Sequence, residues 1–129
     1  MRIVTPSLLI TDDDRDFRET LWSVFEPSGF ETLLAADGQE ALEIMQSRPV
    51  HVVLLDMHMP RLTGLETLRR LKLLGQPVPT ILMSAALDAR IEQEAEDEHV
   101  FSILSKPFSF QAIRAVVRQA MQRTYDWVG

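Results

Sequence analysis

Short apolar runs alternate with amphipathic segments along the whole chain, and this alternation limits the possible folds more than any other feature. The runs lie at residues 8–10, 30–36, 51–55, 80–84 and 101–105. The first of them lacks a period of two, which is typical of a strand covered on both faces. After each run, apolar residues recur at helical spacing. Five strand–helix units in strict order predict one α/β domain with a parallel, doubly wound sheet.

The amphipathic segments differ in how much apolar surface they carry. The fourth, over residues 88–98, has a thin apolar stripe of Leu87, Ile91 and Ala95 beside several acidic residues. The last segment has a strong stripe from Phe110 to Met121. Because weakly docked elements are the ones that move, we expect the fourth helix to be held least firmly.

Composition argues against several classes of function. Thirteen basic and nineteen acidic residues give the 129-residue chain a net charge of −6, which disfavours binding to nucleic acid or anionic lipid. Cysteine is absent, so disulfides, thiolate metal sites and cysteine nucleophiles are excluded. The apolar runs are far shorter than a membrane span, and Pro6 interrupts any signal-peptide core. We therefore expect a soluble, cytoplasmic protein with no membrane and no direct nucleic-acid partner.

Polar residues follow four of the five predicted strands. Asp12 and Asp13 come after the first strand and Asp56 after the third. Ser84 ends the fourth strand, and Lys106, one of only two lysines, follows the fifth. Because the carboxyl ends of parallel strands meet at the edge where α/β sheets carry their chemistry, these side chains are predicted to converge.

Such a cluster has the components of a phosphate-acceptor site. Three carboxylates held close together repel one another unless a cation lies between them. A hard ion with oxygen ligands suits them, so Mg²⁺ is expected, with Mn²⁺ as an alternative. A carboxylate can also be the nucleophile that takes a phosphoryl group, while an ammonium group and a hydroxyl stabilise the phosphoryl oxygens.

Four motifs occur in a characteristic order along this chain. They are LLITDDD at 8–14, LLDMHMP at 54–60 with Gly64, ILMSA at 81–85 and KPF at 106–108. In these motifs the sequence resembles the receiver domain of two-component response regulators over essentially its whole length. The resemblance implies a single receiver domain over residues 1–129, with flavodoxin-like strand order 2-1-3-4-5 and no output domain.

The resemblance also implies a role for each acidic residue at the sheet edge. Asp56 would be the phosphoacceptor, and Asp13 a direct ligand of Mg²⁺. Asp12 would take part in the metal site mostly through water or hydrogen bonds. His58, two residues after the phosphoacceptor, would offer the metal its backbone carbonyl.

A phosphorelay mechanism follows from the same resemblance. A sensor histidine kinase or histidine phosphotransfer protein would transfer its phosphoryl group to Asp56. The receiver would not be an enzyme, apart from Mg²⁺-dependent self-phosphorylation and slow self-dephosphorylation. Ser84 would be the switch hydroxyl and Lys106 the phosphate-pairing lysine, with a cis bond before Pro107. Phosphorylation would change the conformation of the surface formed by the fourth helix, fifth strand and fifth helix. That surface would then bind an unknown downstream target or, in a homodimer, a second copy of the chain.

The sequence departs from the receiver pattern near this site. Ile103 stands where the family usually has Tyr or Phe, and Phe101, two residues earlier on the same predicted strand face, is a candidate replacement. His58 and Ala86 occupy positions that flank the phosphoryl group, so both are candidate modulators of its hydrolysis. Asp14 is predicted to cap the following helix rather than to join the site.

Three other functions share parts of this pattern. A small Mg²⁺-dependent phosphatase of the haloacid-dehalogenase type has an aspartate nucleophile, and residues 12–14 superficially fit its Asp-x-Asp motif; no cap insertion is present, however, and residues 56–60 would be unexplained. A flavin or nucleotide binder would need a phosphate loop rich in glycine, serine or threonine after the first strand, which is absent. A receiver-like interaction module that is never phosphorylated stays open.

Overall fold

The computed structural model describes residues 3–75 and 77–129. They form a five-stranded parallel sheet in the order β2-β1-β3-β4-β5, which confirms the expected topology. The predicted strands agree with the observed ones to within one residue at each end. The elements are β1 (Ser7–Thr11), α1 (Arg15–Phe25), a 3-10 turn (Glu26–Ser28), β2 (Glu31–Ala35), α2 (Gly38–Ser47), β3 (Val52–Asp56), α3 (Gly64–Leu73), β4 (Thr80–Ser84), α4 (Ala89–Asp97), β5 (Ser102–Ser105) and α5 (Phe110–Tyr125).

The three central strands are buried on both faces, which explains why their sequences do not alternate. In β1, Leu9 packs into the apolar layer under α2, α3 and α4, whereas Leu8 and Ile10 pack into the layer under α1 and α5. In β3, Val53 packs into the layer under α2, α3 and α4, and Val52 packs into the layer under α1 and α5. The sheet is therefore covered by two apolar layers that share its central strands.

A side-chain oxygen caps the N-terminus of each of these five helices. Asp14, Asp37, Thr63, Asp88 and Ser109 each accept a hydrogen bond from the backbone N–H three residues later. The predicted cap at Asp14 is thus confirmed. A cap of this kind stabilises a helix by about 1 kcal/mol. Because every helix follows a strand, all these caps lie at the carboxyl edge of the sheet and help to shape its loops.

Helix α4 is attached by a small apolar contact and a group of ion pairs. Ile91 and Ala95 are its buried residues, as the thin stripe predicts. Just after the helix, Glu98 accepts a hydrogen bond from Arg69 Nε of α3 at 2.7 Å, and Lys72 Nζ lies 3.1 Å from the same carboxylate. Hydrogen bonds from Arg69 and then Lys72 hold the pKa of Glu98 below its usual value. We call Arg69, Lys72 and Glu98 the α3–α4 ion cluster.

Candidate functional site at the carboxyl edge of the sheet

Three predicted acidic residues meet at the carboxyl edge of the sheet. One carboxylate oxygen from each of Asp12, Asp13 and Asp56 lies within 4.8 Å of the other two. Asp12 and Asp56 are buried, whereas Asp13 is exposed. The convergence expected from the strand ends is therefore present in the structure, and it places two carboxylates where water screens them poorly.

Lys106 partly neutralises this acidic cluster. Its Nζ lies 2.6 Å from Asp12 Oδ2 and 3.2 Å from Asp56 Oδ1. Burial tends to lower the pKa of Lys106, but the hydrogen bond and charge of Asp12, together with the charge of Asp56, outweigh it and raise that pKa. The ammonium group also lies 4.2 Å from the centroid of the Phe17 ring, a cation–π distance. The peptide bond from Lys106 to Pro107 is cis, as expected.

The Asp56 carboxylate has a strongly shifted acidity. Burial raises its pKa to about 6, and the neighbouring charge of Asp12 acts in the same direction. Lys106 opposes the shift without cancelling it, and Asp13 adds a smaller repulsion. A buried carboxylate with a pKa displaced toward neutrality is characteristic of functional sites.

Ser84 is fully buried and its hydroxyl has two hydrogen-bond contacts. The backbone N–H of Ala86 donates to Ser84 Oγ at 3.2 Å, and His58 Nε2 lies 2.9 Å from the same oxygen. The backbone N–H of Lys106 donates to the Ser84 carbonyl at 2.8 Å, which ties the end of β5 to the end of β4. Ser84 therefore reaches the edge where the acidic cluster lies, and the exposed His58 side chain contacts its hydroxyl.

Backbone contacts hold the loops around the acidic cluster. The N–H of Asp14 donates to Asp12 Oδ1 at 2.9 Å, and Arg18 donates to the Asp12 carbonyl at 2.8 Å. On the other side, the N–H of Gly64 donates to the Met57 carbonyl at 2.9 Å. A Cβ atom at Gly64 would lie 2.5 Å from the backbone oxygen of Asp56, so this close approach requires glycine.

The structure corrects one expectation about the aromatic replacement. Phe101 packs into the layer of α1 and α5, where the guanidinium of Arg123 lies 5.9 Å from its ring centroid. Ile103 packs into the opposite layer. The prediction that the two residues share one strand face is wrong, because Phe101 precedes β5 and strand alternation does not extend to it. The same-face argument for Phe101 as a replacement aromatic therefore does not hold.

Sequence reasoning missed two contacts at the site. Phe17 was not singled out as a site residue, and His58, expected to offer the metal its carbonyl and to flank the phosphoryl group, was not expected to contact Ser84. A weak signal exists for Phe17, because long side chains in the first turn of a helix point back toward the preceding loop. No spacing rule predicts the contact of His58 with Ser84, because the two residues are 26 positions apart.

The alternative functions gain no support from this geometry. An Asp-x-Asp phosphatase motif would need Asp12 and Asp14 to act together. Asp14 instead uses its side chain to accept a hydrogen bond from the N–H of Phe17 at the start of α1.

No helix within residues 3–75 and 77–129 is both long and apolar enough to cross a membrane.

Comparisons with known proteins agree with the geometry. The model of the response regulator receiver domain family matches residues 8–118. The response regulator MprA of Mycolicibacterium vanbaalenii is 35% identical over 117 residues, which cover 91% of this chain and 51% of that protein. Sporulation initiation phosphotransferase F of Bacillus subtilis is 32% identical over 117 residues, which cover 91% of this chain and 94% of that protein. The chain thus spans about half the length of the first relative and nearly all of the second.

A solved structure shows the same relationship. The receiver domain of the Francisella response regulator 1452 is 30% identical in sequence and superposes with a TM-score of 0.86. The superposition covers 92% of this chain and 98% of that domain. Strand order, the polar edge of the sheet and sequence similarity point to one conclusion. The chain belongs to the response regulator receiver domain family and is a CheY-like receiver domain of a two-component response regulator.

Proposed function

We propose that Asp56 is the phosphoacceptor of this receiver and takes its phosphoryl group from a phosphohistidine on a sensor kinase or a histidine phosphotransfer protein. We further propose that the chain acts as a single receiver domain. The observation that carries the proposal is the buried Asp56 carboxylate, which lies 3.2 Å from Lys106 Nζ and within 4.8 Å of Asp12 and Asp13.

The environment of Asp56 suits a nucleophile. A pKa of about 6 leaves the carboxylate largely ionised at neutral pH and more basic than an ordinary aspartate. A carboxylate oxygen would form a bond to phosphorus while the phosphorus–nitrogen bond breaks, and the electron pair of that bond would return to the imidazole of the donor. Lys106 would stabilise the negative charge on the phosphoryl oxygens.

The carboxylates of Asp12, Asp13 and Asp56, with the backbone carbonyl of His58, would hold Mg²⁺ or, as an alternative, Mn²⁺. The donor set fits, because all these ligands are oxygens and the three carboxylates lie close together. Asp13 is exposed, which suits a direct ligand, whereas both oxygens of Asp12 already accept hydrogen bonds from Asp14 and Lys106. When bound, the ion supplies positive charge beside the phosphoryl oxygens.

The response to phosphorylation would begin at Ser84. Its hydroxyl would donate to a phosphoryl oxygen, and the resulting displacement would bias the surface of α4, β5 and α5. The small apolar contact of α4 supports this, since little packing has to be broken for the helix to shift. That surface would then meet a downstream partner or a second copy of the chain. His58 and Ala86 stay candidate modulators of the lifetime of the phosphoryl group. Because Ile103 has no aromatic ring, the proposed response does not include rotation of an aromatic side chain at that position.

The test is phosphorylation by a small-molecule donor. Purified protein incubated with Mg²⁺ and acetyl phosphate is expected to gain one phosphoryl group by intact mass spectrometry, and to lose it slowly once the donor is removed. Asp56→Asn is expected to gain none, while Asp16→Asn, a change on the exposed side of α1, serves as the matched control. Equal mass gain in the wild type and Asp56→Asn would overturn the assignment, and sustained turnover of a phosphomonoester would favour a phosphatase.

A further inference from the structure

The contact between His58 and Ser84 is a feature of this chain that the receiver assignment does not use. His58 lies in the loop after β3 and Ser84 at the end of β4, so the contact joins two neighbouring strand ends. The imidazole is exposed and the hydroxyl is fully buried. His58 Nε2 lies 2.9 Å from Ser84 Oγ, an ordinary hydrogen-bond distance.

The direction of this hydrogen bond follows from the other contact of Ser84. A serine hydroxyl has one proton to donate and can accept at its lone pairs. The N–H of Ala86 already donates to Ser84 Oγ, so it occupies a lone pair and leaves the hydroxyl proton in need of an acceptor. Among the described residues, His58 Nε2 is the only acceptor within hydrogen-bond distance of that oxygen. Because a buried proton without an acceptor is costly, this arrangement favours His58 Nε2 as the acceptor of the Ser84 hydroxyl proton.

The phosphoryl oxygens would need the same proton. They are acceptors only, so Ser84 can reach them productively only by donating its single proton to them. We infer that His58 is a positioning residue that holds the Ser84 hydroxyl in its resting orientation and competes with the phosphoryl group for it. The inference rests on the proposed phosphorylation of Asp56 and on Ser84 as the responding hydroxyl.

A competition of this kind has a defined size. A hydrogen bond of ordinary net strength corresponds to about a 2- to 12-fold change in an equilibrium constant. Removing the acceptor from His58 should therefore make the response of Ser84 easier by about that factor. The effect of removing the His58 acceptor should disappear when the Ser84 hydroxyl is absent. If the imidazole had only a structural or steric role, the effect would persist without that hydroxyl.

The experiment is a titration with beryllofluoride, a mimic of the phosphoryl group, in the presence of Mg²⁺ and followed through amide NMR signals of the chain. His58→Phe keeps a planar ring but removes the acceptor, and it is expected to tighten apparent binding by about 2- to 12-fold. In a Ser84→Ala background, the same change at position 58 is expected to alter binding less than twofold. His99→Asn removes another exposed imidazole outside the acidic cluster and serves as the control, with no change expected.

A second measurement needs no substitution. Nitrogen NMR of the His58 ring is expected to show the proton on Nδ1 and an unprotonated Nε2 that accepts from Ser84. A ring protonated on Nε2 would overturn the inference. So would a His58→Phe effect that is absent, reversed in sign, or equally large in the Ser84→Ala background. Binding of beryllofluoride that persists in Asp56→Asn would instead overturn the proposed phosphoacceptor, so the two failures are distinguishable.

Discussion

Asp56 shows how a single buried group can link the chemistry of the site to the stability of the fold. Its pKa is raised to about 6 chiefly by burial, and then by the charge of Asp12. A carboxyl group whose pKa is higher in the folded state than in the unfolded chain favours folding when protonated. Its stabilising contribution is therefore complete below about pH 4 and is lost as the pH rises through about 6.

We expect Asp56→Asn to be more stable than the wild type above pH 6, by about 1–3 kcal/mol in the free energy of unfolding. The amide cannot ionise, so it avoids the cost of a buried charge beside Asp12. Urea denaturation in the presence of a chelator, from pH 4 to pH 8, measures the difference. The gain should shrink toward zero near pH 4, and Asp97→Asn, an exposed change, should show no such trend. A gain that is independent of pH would contradict the explanation.

Lys106 limits how strongly the acidic cluster can attract a divalent cation. It places one positive charge 2.6 Å from Asp12 and 3.2 Å from Asp56. We expect Lys106→Met to bind Mg²⁺ about 3- to 30-fold more tightly, because nearby like charge disfavours the cation in the wild type. Isothermal titration calorimetry measures the affinity. Lys72→Met removes the other lysine of the chain and is expected to leave it unchanged, whereas weaker Mg²⁺ binding by Lys106→Met would refute the prediction.

At the scale of elements, the strands and helices differ in how firmly they are held. The central strands are buried on both faces, whereas α4 contributes two buried residues and is linked to α3 by the α3–α4 ion cluster at its end and by the Arg69–Glu94 ion pair. Partly exposed ion pairs contribute little individually, although two cations share the carboxylate of Glu98 here. The resting position of α4 should therefore be sensitive to that single residue.

Glu98→Gln tests this attachment. Losing the charge weakens the contacts to both Arg69 and Lys72, so we expect amide hydrogen exchange across α4 to accelerate by about 2- to 5-fold, with little change in the central strands. Arg90→Gln is the matched control, because it removes the exposed Arg90–Glu94 pair within α4 and leaves the link to α3 in place. Equal acceleration in both variants would show that the link to α3 does not hold the helix.

At the scale of the whole molecule, the two apolar layers depend on the same strands. They pack on opposite faces of the same strands, with Leu9 in one layer and Leu8 and Ile10 in the other. Loss of either layer would therefore expose the strands that support the second layer. A domain of this size and architecture is expected to unfold in one cooperative transition.

Binding at the acidic cluster should accordingly stabilise the whole fold. With Mg²⁺ and beryllofluoride at about 100 times the apparent dissociation constant, we expect the free energy of unfolding to rise by about 2.7 kcal/mol. Chemical denaturation followed by circular dichroism and by tryptophan fluorescence should give coincident transitions. Asp56→Asn should show a much smaller gain from beryllofluoride over Mg²⁺ alone; an equal gain would place the mimic elsewhere.

The sequence by itself determined the architecture and most of the site. In β1, β3 and β4, apolar runs without a period of two identify strands covered on both faces, and the helical stripes between the runs require parallel pairing. Once the strands are parallel, their carboxyl ends must share one edge, so the convergence of Asp12, Asp13, Asp56, Ser84 and Lys106 follows from their positions along the chain. The cap at Asp14 was equally predictable, because capping depends on residues three positions apart.

Only the tertiary structure decided which side chains touch within that edge. The contact of His58 with Ser84, the ring of Phe17 beside Lys106 and the link from α3 to Glu98 each join residues far apart in the chain. Such contacts depend on loop paths and rotamers, which neither periodicity nor spacing encodes. The same reason explains the error at Phe101, because the rule of alternating faces ends where the strand does, and the path of the loop then determines which layer receives the ring.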